Sequence, residues 1–121
     1  MKKTFRIKKN YEFKRIFTKG QFFGGKILNI YIEKSKKNYN KFGVAISKKI
    51  GKSVIRNKLK RWGREVYKNN LIHIKNDVSF NMIIVFKKDF DFSSTNYHFI
   101  KTEFIDICQR AGLWNNEEDI N

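Results

Sequence analysis

Eight lysines and arginines fall between Lys48 and Arg64 with no acid among them: Lys48, Lys49, Lys52, Arg56, Lys58, Lys60, Arg61 and Arg64. At their ordinary pKa values these side chains are protonated cations near neutral pH. The chemistry they offer is capture of a polyanion, with lysine as a mobile point charge and arginine as a planar fork matched to phosphate oxygens. They sit in the stretch Ser47 to Lys68, SKKIGKSVIRNKLKRWGREVYK. In its second half Ile55, Leu59, Trp62 and Val66 recur at the spacing of one helical stripe. At about 100° per residue, Arg56, Asn57, Lys60, Arg61, Arg64 and Lys68 share the opposite arc. A face that is merely solvated mixes signs, because like charges one turn apart repel. Here Glu65 is the nearest acid, at the margin of the arc, so an external polyanion is the expected counter-charge. Ser53 is the expected N-cap of this helix, and Gly51 allows a sharp turn into it.

Other chemistries are poorly provided for. Glu12, Glu33, Glu65, Asp77, Asp89 and Asp91 are scattered over separate segments, with only Asp89 and Asp91 close together, in a loop. That argues against a metal-dependent nuclease built by this chain alone. The triplet Gly51-Lys52-Ser53 resembles the end of a phosphate-binding P-loop, but position 46, where that motif needs glycine, is Ile46. His73 and His98 lack partners at metal-ligand spacing. Cys108 is the only cysteine. It makes no internal disulfide and reads as a buried small hydrophobe.

The chain has 121 residues and a formal net charge of +16, with 40% hydrophobic and 16% aromatic residues. That is enough apolar material for one domain over residues 1–121 and a strong electrostatic case for nucleic acid. An anionic membrane surface is the weaker rival, since no segment approaches about 18 consecutive apolar residues. The N-terminus MKKTFRIKKN carries charge but no apolar core of a secretory signal. A cytoplasmic protein with no membrane partner is expected.

The positioning elements can be read in order. Residues 1–9 form a basic arm, with Phe5 and Ile7 able to pack beneath it. Asn10 is the expected N-cap of a helix from Tyr11 to Lys19, ended by Gly20, with Phe13, Ile16 and Phe17 on its apolar side. After a loop through Gly24 and Gly25, Lys26 to Glu33 alternates as a strand. Leu28, Ile30 and Ile32 point one way, and Ile27, Asn29 and Tyr31 the other. A second strand, Lys41 to Ser47, places Phe42, Val44 and Ile46 on one face and leads into the basic helix. Asn69 to Asp77 gives no clear signal. The apolar run Ser79 to Phe86 reads as a central strand. Ser93 to Thr95 are expected to cap a last helix with the stripe Tyr97, Ile100, Phe104, Ile107, Cys108 and Ala111, ended by Gly112. Residues 113–121 are an acidic tail expected to be mobile. The expected class is α+β, an α/β sandwich ordered α-β-β-α-β-α, with a mixed sheet and helices packed mainly on one side.

The run SKKIGKSVIRNKLKRWGRE resembles the signature of the bacterial ribonuclease P protein family. Ser47, Lys48, Lys49, Gly51, Arg56, Asn57, Lys60, Arg61 and Arg64 match it. Lys58 departs from it, standing where the family's Arg-Asn-Arg triplet has its second arginine. The segment IKKNYEFKRIFTKG and the order of elements also match, so the resemblance spans roughly residues 5 to 112. It implies a left-handed βαβ crossover containing the basic helix, and an RNA catalyst bound by Lys48, Lys49, Lys52, Arg56, Asn57, Lys58, Lys60, Arg61 and Arg64. It also implies a cleft for the 5′ leader of precursor tRNA, with Phe13 and Phe17 on the first helix and Tyr31 on the first strand. Read from spacing alone, Phe13 and Phe17 are core residues. The resemblance implies instead that they are partly open, as stacking platforms for single-stranded RNA.

The function this implies is accessory: the protein subunit of ribonuclease P, an endoribonuclease whose RNA hydrolyses one phosphodiester to release the leader. No residue of this chain is expected to be catalytic. Mg²⁺ is expected as the RNA's cofactor, with no metal site and no organic cofactor on the protein. The expected partners are the catalytic RNA and precursor tRNA. The rival readings are a non-catalytic RNA-binding protein, such as a small ribosomal protein, and a self-sufficient nuclease.

Overall fold

The computed structural model describes residues 2–115. In chain order the elements are β1 (Thr4–Arg6), α1 (Asn10–Lys19), β2 (Gln21–Gly24), β3 (Leu28–Ser35), β4 (Asn40–Ala45), α2 (Ser53–Asn70), β5 (Ser79–Phe86) and α3 (Tyr97–Arg110). Short 3₁₀ turns at Leu71–His73 and Phe92–Ser94 follow α2 and precede α3. One five-stranded sheet has the order β1-β4-β5-β3-β2. Its pairs β1–β4 and β4–β5 are parallel, and β5–β3 and β3–β2 antiparallel. The sheet is mixed, as expected. Because β4 and β5 are parallel neighbours, the chain must cross over between them, and α2 is that crossover.

The central strand is the apolar run Ser79–Phe86, whose Met82, Ile83 and Ile84 are fully buried. A strand covered on both faces needs apolar side chains at consecutive positions. On one face Leu28, Ile30, Ile32, Phe42, Met82, Ile84 and Phe86 meet Leu59, Val66 and Tyr67 of α2 and Ile100, Phe104, Ile107 and Cys108 of α3. On the other face Ile83 meets Ile16 of α1 and Ile7, with Phe13, Tyr31, Ala45 and Val85 around them. The helices are therefore divided by the sheet, α2 and α3 on one side and α1 on the other. Burial pushes the Cys108 thiol up to about 12, consistent with its role as a buried small hydrophobe.

The sheet has two more strands than the sequence pattern suggests. The basic arm contains β1, held by Lys2, which donates from Nζ to the Val78 carbonyl at 2.9 Å and to Ser79 Oγ at 2.7 Å. Ile7 is buried beside it, but Phe5 lies open, its ring edge-on to Tyr39 at 5.2 Å. The loop after α1 contains β2. Helix starts also differ. Lys9 and Lys52 occupy the N-cap positions of α1 and α2 without a side-chain cap bond, so Asn10 and Ser53 lie inside the first turn. Asn96, not Ser93 to Thr95, caps α3, accepting from the Phe99 amide. Gly51 has φ +47° and makes the expected turn into α2. Gly112, at φ +75°, ends α3 in a paired-carbonyl cap: its amide donates to the Gln109 carbonyl and that of Leu113 to the Cys108 carbonyl. The tail beyond residue 115 lies outside the described residues.

The turn between β2 and β3 is gripped from the far side of the sheet. Glu103 Oε1 on α3 accepts from the amides of Ile27 and Leu28 at 2.8 and 2.7 Å. Arg110 donates to the Gly24 carbonyl at 3.0 Å, and Lys87 to that of Gly25 at 3.2 Å. These contacts fix where β2 hangs relative to β3.

Candidate nucleic-acid interface

The α1 side of the sheet is only partly covered, because α1 is short. Two ion pairs seat it: Lys41 donates to Glu12 and Arg15 to Glu33. Glu12 is 7% exposed. The Lys41 ammonium beside it holds its carboxyl below the ordinary carboxylate value. Beyond α1 the face stays open. Its floor is Asn29, Ala45 and Val85, its rim Ser47, Lys87, Lys88 and Asp89, and the space measures about 540 Å³.

A row of aromatic rings borders this floor. Phe13 and Phe17 lie 6.3 Å apart on α1, Phe17 stands edge-on to Tyr31 at 4.9 Å, and Tyr31 stands edge-on to Phe22 at 5.3 Å. The structure thus brings Phe13, Phe17 and Tyr31 together. Phe17 is 38% exposed, while Phe13 and Tyr31 are half-buried. None of the three is sealed in the core. Phe22, 52% exposed, is a fourth member that the sequence reading left in a loop. Its signal was alternation: β2 pairs Phe22 with Tyr31, which puts the outward aromatic on the cleft face and Phe23 on the core face.

The cationic stretch divides in space. Lys48, Lys49 and Lys52 are exposed on the turn between β4 and α2. Arg56 reaches back into that turn, donating to the Lys48 and Gly51 carbonyls at 3.3 and 2.8 Å and to Ser53 Oγ at 3.1 Å. Much of its donor capacity is spent bracing the lysine turn. Lys60, Arg64 and Lys68 line a groove of about 730 Å³ together with Arg6, Ile7, Phe13, Gly43 and Val44. Asn57 and Arg61 are exposed, and Arg61 pairs with Glu65 at 3.7 Å, so the acid at the margin of the arc does offset one charge. Lys58 lies apart, its ammonium 4.9 Å from the centre of the Trp62 ring.

The groove exists because β1 is short. It pairs only with Asn40 to Phe42, so beyond Phe42 β4 has no described strand partner on that side, although Gly43 is buried against Ile7 and Phe13 and Val44 is half-buried. Phe13 reaches the groove from one side of the sheet, Lys60 and Arg64 from the other. The aromatic row and the cationic helix therefore meet at one edge. Such a surface can hold a single strand by stacking and its phosphates by charge.

The family model for Ribonuclease P matches residues 1–112. The chain is 33% identical over 124 residues to the ribonuclease P protein component of Clostridium beijerinckii, covering 97% of this chain and 96% of that one. It is 47% identical over 57 residues to the same component of Clostridium kluyveri, covering 47% of this chain. The match spans about half the length of several such curated relatives, 51% in that case. Among solved structures, the RNase P protein of Staphylococcus aureus is similar at a TM-score of 0.79 with 28% identity, covering 92% of this chain and 98% of that one. On the sheet order, the basic crossover helix and a family match that runs from the first strand to the end of the last helix, this chain belongs to the ribonuclease P protein family.

Proposed function

We propose that the chain works as the protein subunit of ribonuclease P. It binds the catalytic RNA through the lysine turn and the cationic face of α2, and the 5′ leader of precursor tRNA along Phe13, Phe17, Tyr31 and Phe22. The observation that supports this most is the groove beside β4 that Phe13 of the aromatic row shares with Lys60, Arg64 and Lys68 of α2. One protein can then touch catalyst and substrate at once, which raises the effective concentration of one at the other. Stacking tolerates every base, as suits a subunit that meets many leaders. Family membership weighs against a small ribosomal protein.

The chain's part in the reaction is binding and orientation. Among the described residues no three His, Cys, Asp or Glu side chains are grouped so that they could hold a metal ion. In this reading Mg²⁺ belongs to the RNA, where it would stabilise the oxygens of the displaced phosphodiester. No described helix is long and apolar enough to cross a membrane, and the proposed place of action is the cytoplasm, with the RNA. The test is a cleavage assay on precursor tRNA. Protein alone in Mg²⁺ should give no mature 5′ end, and protein with the cognate RNA should give multiple-turnover cleavage at one bond. Specific turnover by the protein alone would replace this reading with a self-sufficient nuclease.

A further inference from the structure

The turn that joins β2 to β3 is completed by α3, which packs on the face of the sheet away from the cleft. Gly25 donates to the Leu28 carbonyl at 2.8 Å, which is half of the rung that would close the hairpin. The Leu28 amide does not return the bond. Together with the Ile27 amide it donates to Glu103 Oε1, at 2.7 and 2.8 Å. The Gly25 carbonyl accepts from Lys87 Nζ instead. Arg110, two helical turns beyond Glu103 and so on the same side of α3, donates to the Gly24 carbonyl at 3.0 Å. Gly25 is what admits the carboxylate, since a Cβ there would collide with Glu103 Oε1 and Cδ. The root of the hairpin is therefore held by a helix that has no part in the cleft.

We propose that Glu103 is a positioning residue for the leader cleft: from α3 it fixes the root of the β2–β3 hairpin and, through it, the place of Phe22 in the aromatic row. β2 is an edge strand of four residues whose partner is β3, so few backbone bonds hold it. Phe22 lies two residues before Gly24 and meets Tyr31 edge-on at 5.3 Å. A swing of the hairpin root moves that ring away from Tyr31, and a binding constellation works only when its supports hold it to within about half an ångström. A carboxylate suits the task, because one of its oxygens accepts from both orphaned amides at once. With the sheet between them, Glu103 does not touch the single strand, so its effect on the leader passes through β2. The inference rests on the leader-binding reading given above.

The experiment uses the holoenzyme assembled with its cognate RNA. Affinities are measured for precursor and mature tRNA, and the melting midpoint of each variant is read beside them. The wild type should prefer precursor. Glu103→Ala should reduce that preference about fivefold, the low end for one stacked base, and leave binding of mature tRNA unchanged. Glu103→Gln, which keeps an oxygen for both amides, should restore the preference. Gly25→Ala, which displaces the carboxylate, should match Glu103→Ala. Because Glu103 acts through Phe22, the double variant Phe22→Ala with Glu103→Ala should lose no more than Phe22→Ala alone. Glu103→Asp, one methylene short of the amides, serves if the alanine variant melts early. A preference that stays intact in Glu103→Ala, in its aspartate stand-in or in Gly25→Ala overturns the proposal. So does a glutamine variant that falls as far as alanine, or a loss that adds to that of Phe22→Ala. If precursor and mature tRNA bind the wild type equally, the leader-binding reading itself fails, and the positioning role with it.

Discussion

Arg56 shows why a motif does not by itself assign a job. Its place on the cationic arc suggests a phosphate contact, yet its guanidinium is turned back onto the carbonyls of Lys48 and Gly51 and the hydroxyl of Ser53. Arg56→Ala should therefore cost about 1 kcal/mol of stability in urea denaturation, whereas Lys60→Ala and Arg64→Ala should stay within about 0.5 kcal/mol. Arg56→Lys should not restore the loss, because one ammonium cannot span the three acceptors that the fork reaches. Phe17 makes the complementary case. At 38% exposure its truncation should cost less than the roughly 3–5 kcal/mol of a buried phenylalanine. Its effect should appear as about a 5- to 150-fold loss in affinity for precursor over mature tRNA. An early-melting variant that weakens both RNAs equally would return Phe17 to the core. Spacing along α1 could not separate these outcomes, since a residue facing a sheet is covered or open according to where the helix stops. Caps were misplaced for a related reason: Ser53 and Asn10 are good cap types, but the backbone enters each helix one residue earlier.

At the scale of elements, long segments were legible and short ones were not. β5, α2 and α3 carry enough periodic apolar residues to declare themselves. β1 and β2 have three and four residues and owe their conformation to a partner, β1 to a strand that begins at Asn40. No local pattern encodes that. Seating α1 likewise depends on distant contacts, and here pH gives a handle. Glu12 has its carboxyl lowered from 4.5, chiefly by the hydrogen bond from Lys41. A carboxyl lowered in the folded state adds stability above its unfolded pKa and loses it as pH falls through the folded value. The gap in melting midpoint between wild type and Glu12→Gln should thus be full near neutrality and close as the solution is taken below 4.5. A gap that stayed constant through that range would remove the ion pair as the seat of α1.

For the whole molecule the governing quantity is charge. A net +16 on 121 residues means that binding to RNA is driven largely by release of the RNA's counterions. The logarithm of affinity should fall linearly with the logarithm of salt. Replacing Lys60, Arg64 and Lys68 together by alanine should reduce the steepness by about 2 to 3. An unchanged slope would make the groove-lining arc a solvated face after all. Composition announced this much without any structure. The meeting of the arc with the aromatic row was not announced, because it arises where β1 stops pairing with β4, beyond Phe42.

The strand order also has a consequence for how the protein is made. β3 and β4 are consecutive in the chain but do not pair; β5 lies between them. A ribosome delivers the chain from its N-terminus, so β3 and β4 emerge first, each with an edge waiting for a strand that has not been synthesised. Those edges stay available to foreign strands until residue 86 has cleared the exit tunnel, an interval set by translation speed. A pause in translation after β4 has emerged and before β5 has done so therefore prolongs the exposure of both edges, so the pace of synthesis bears on yield.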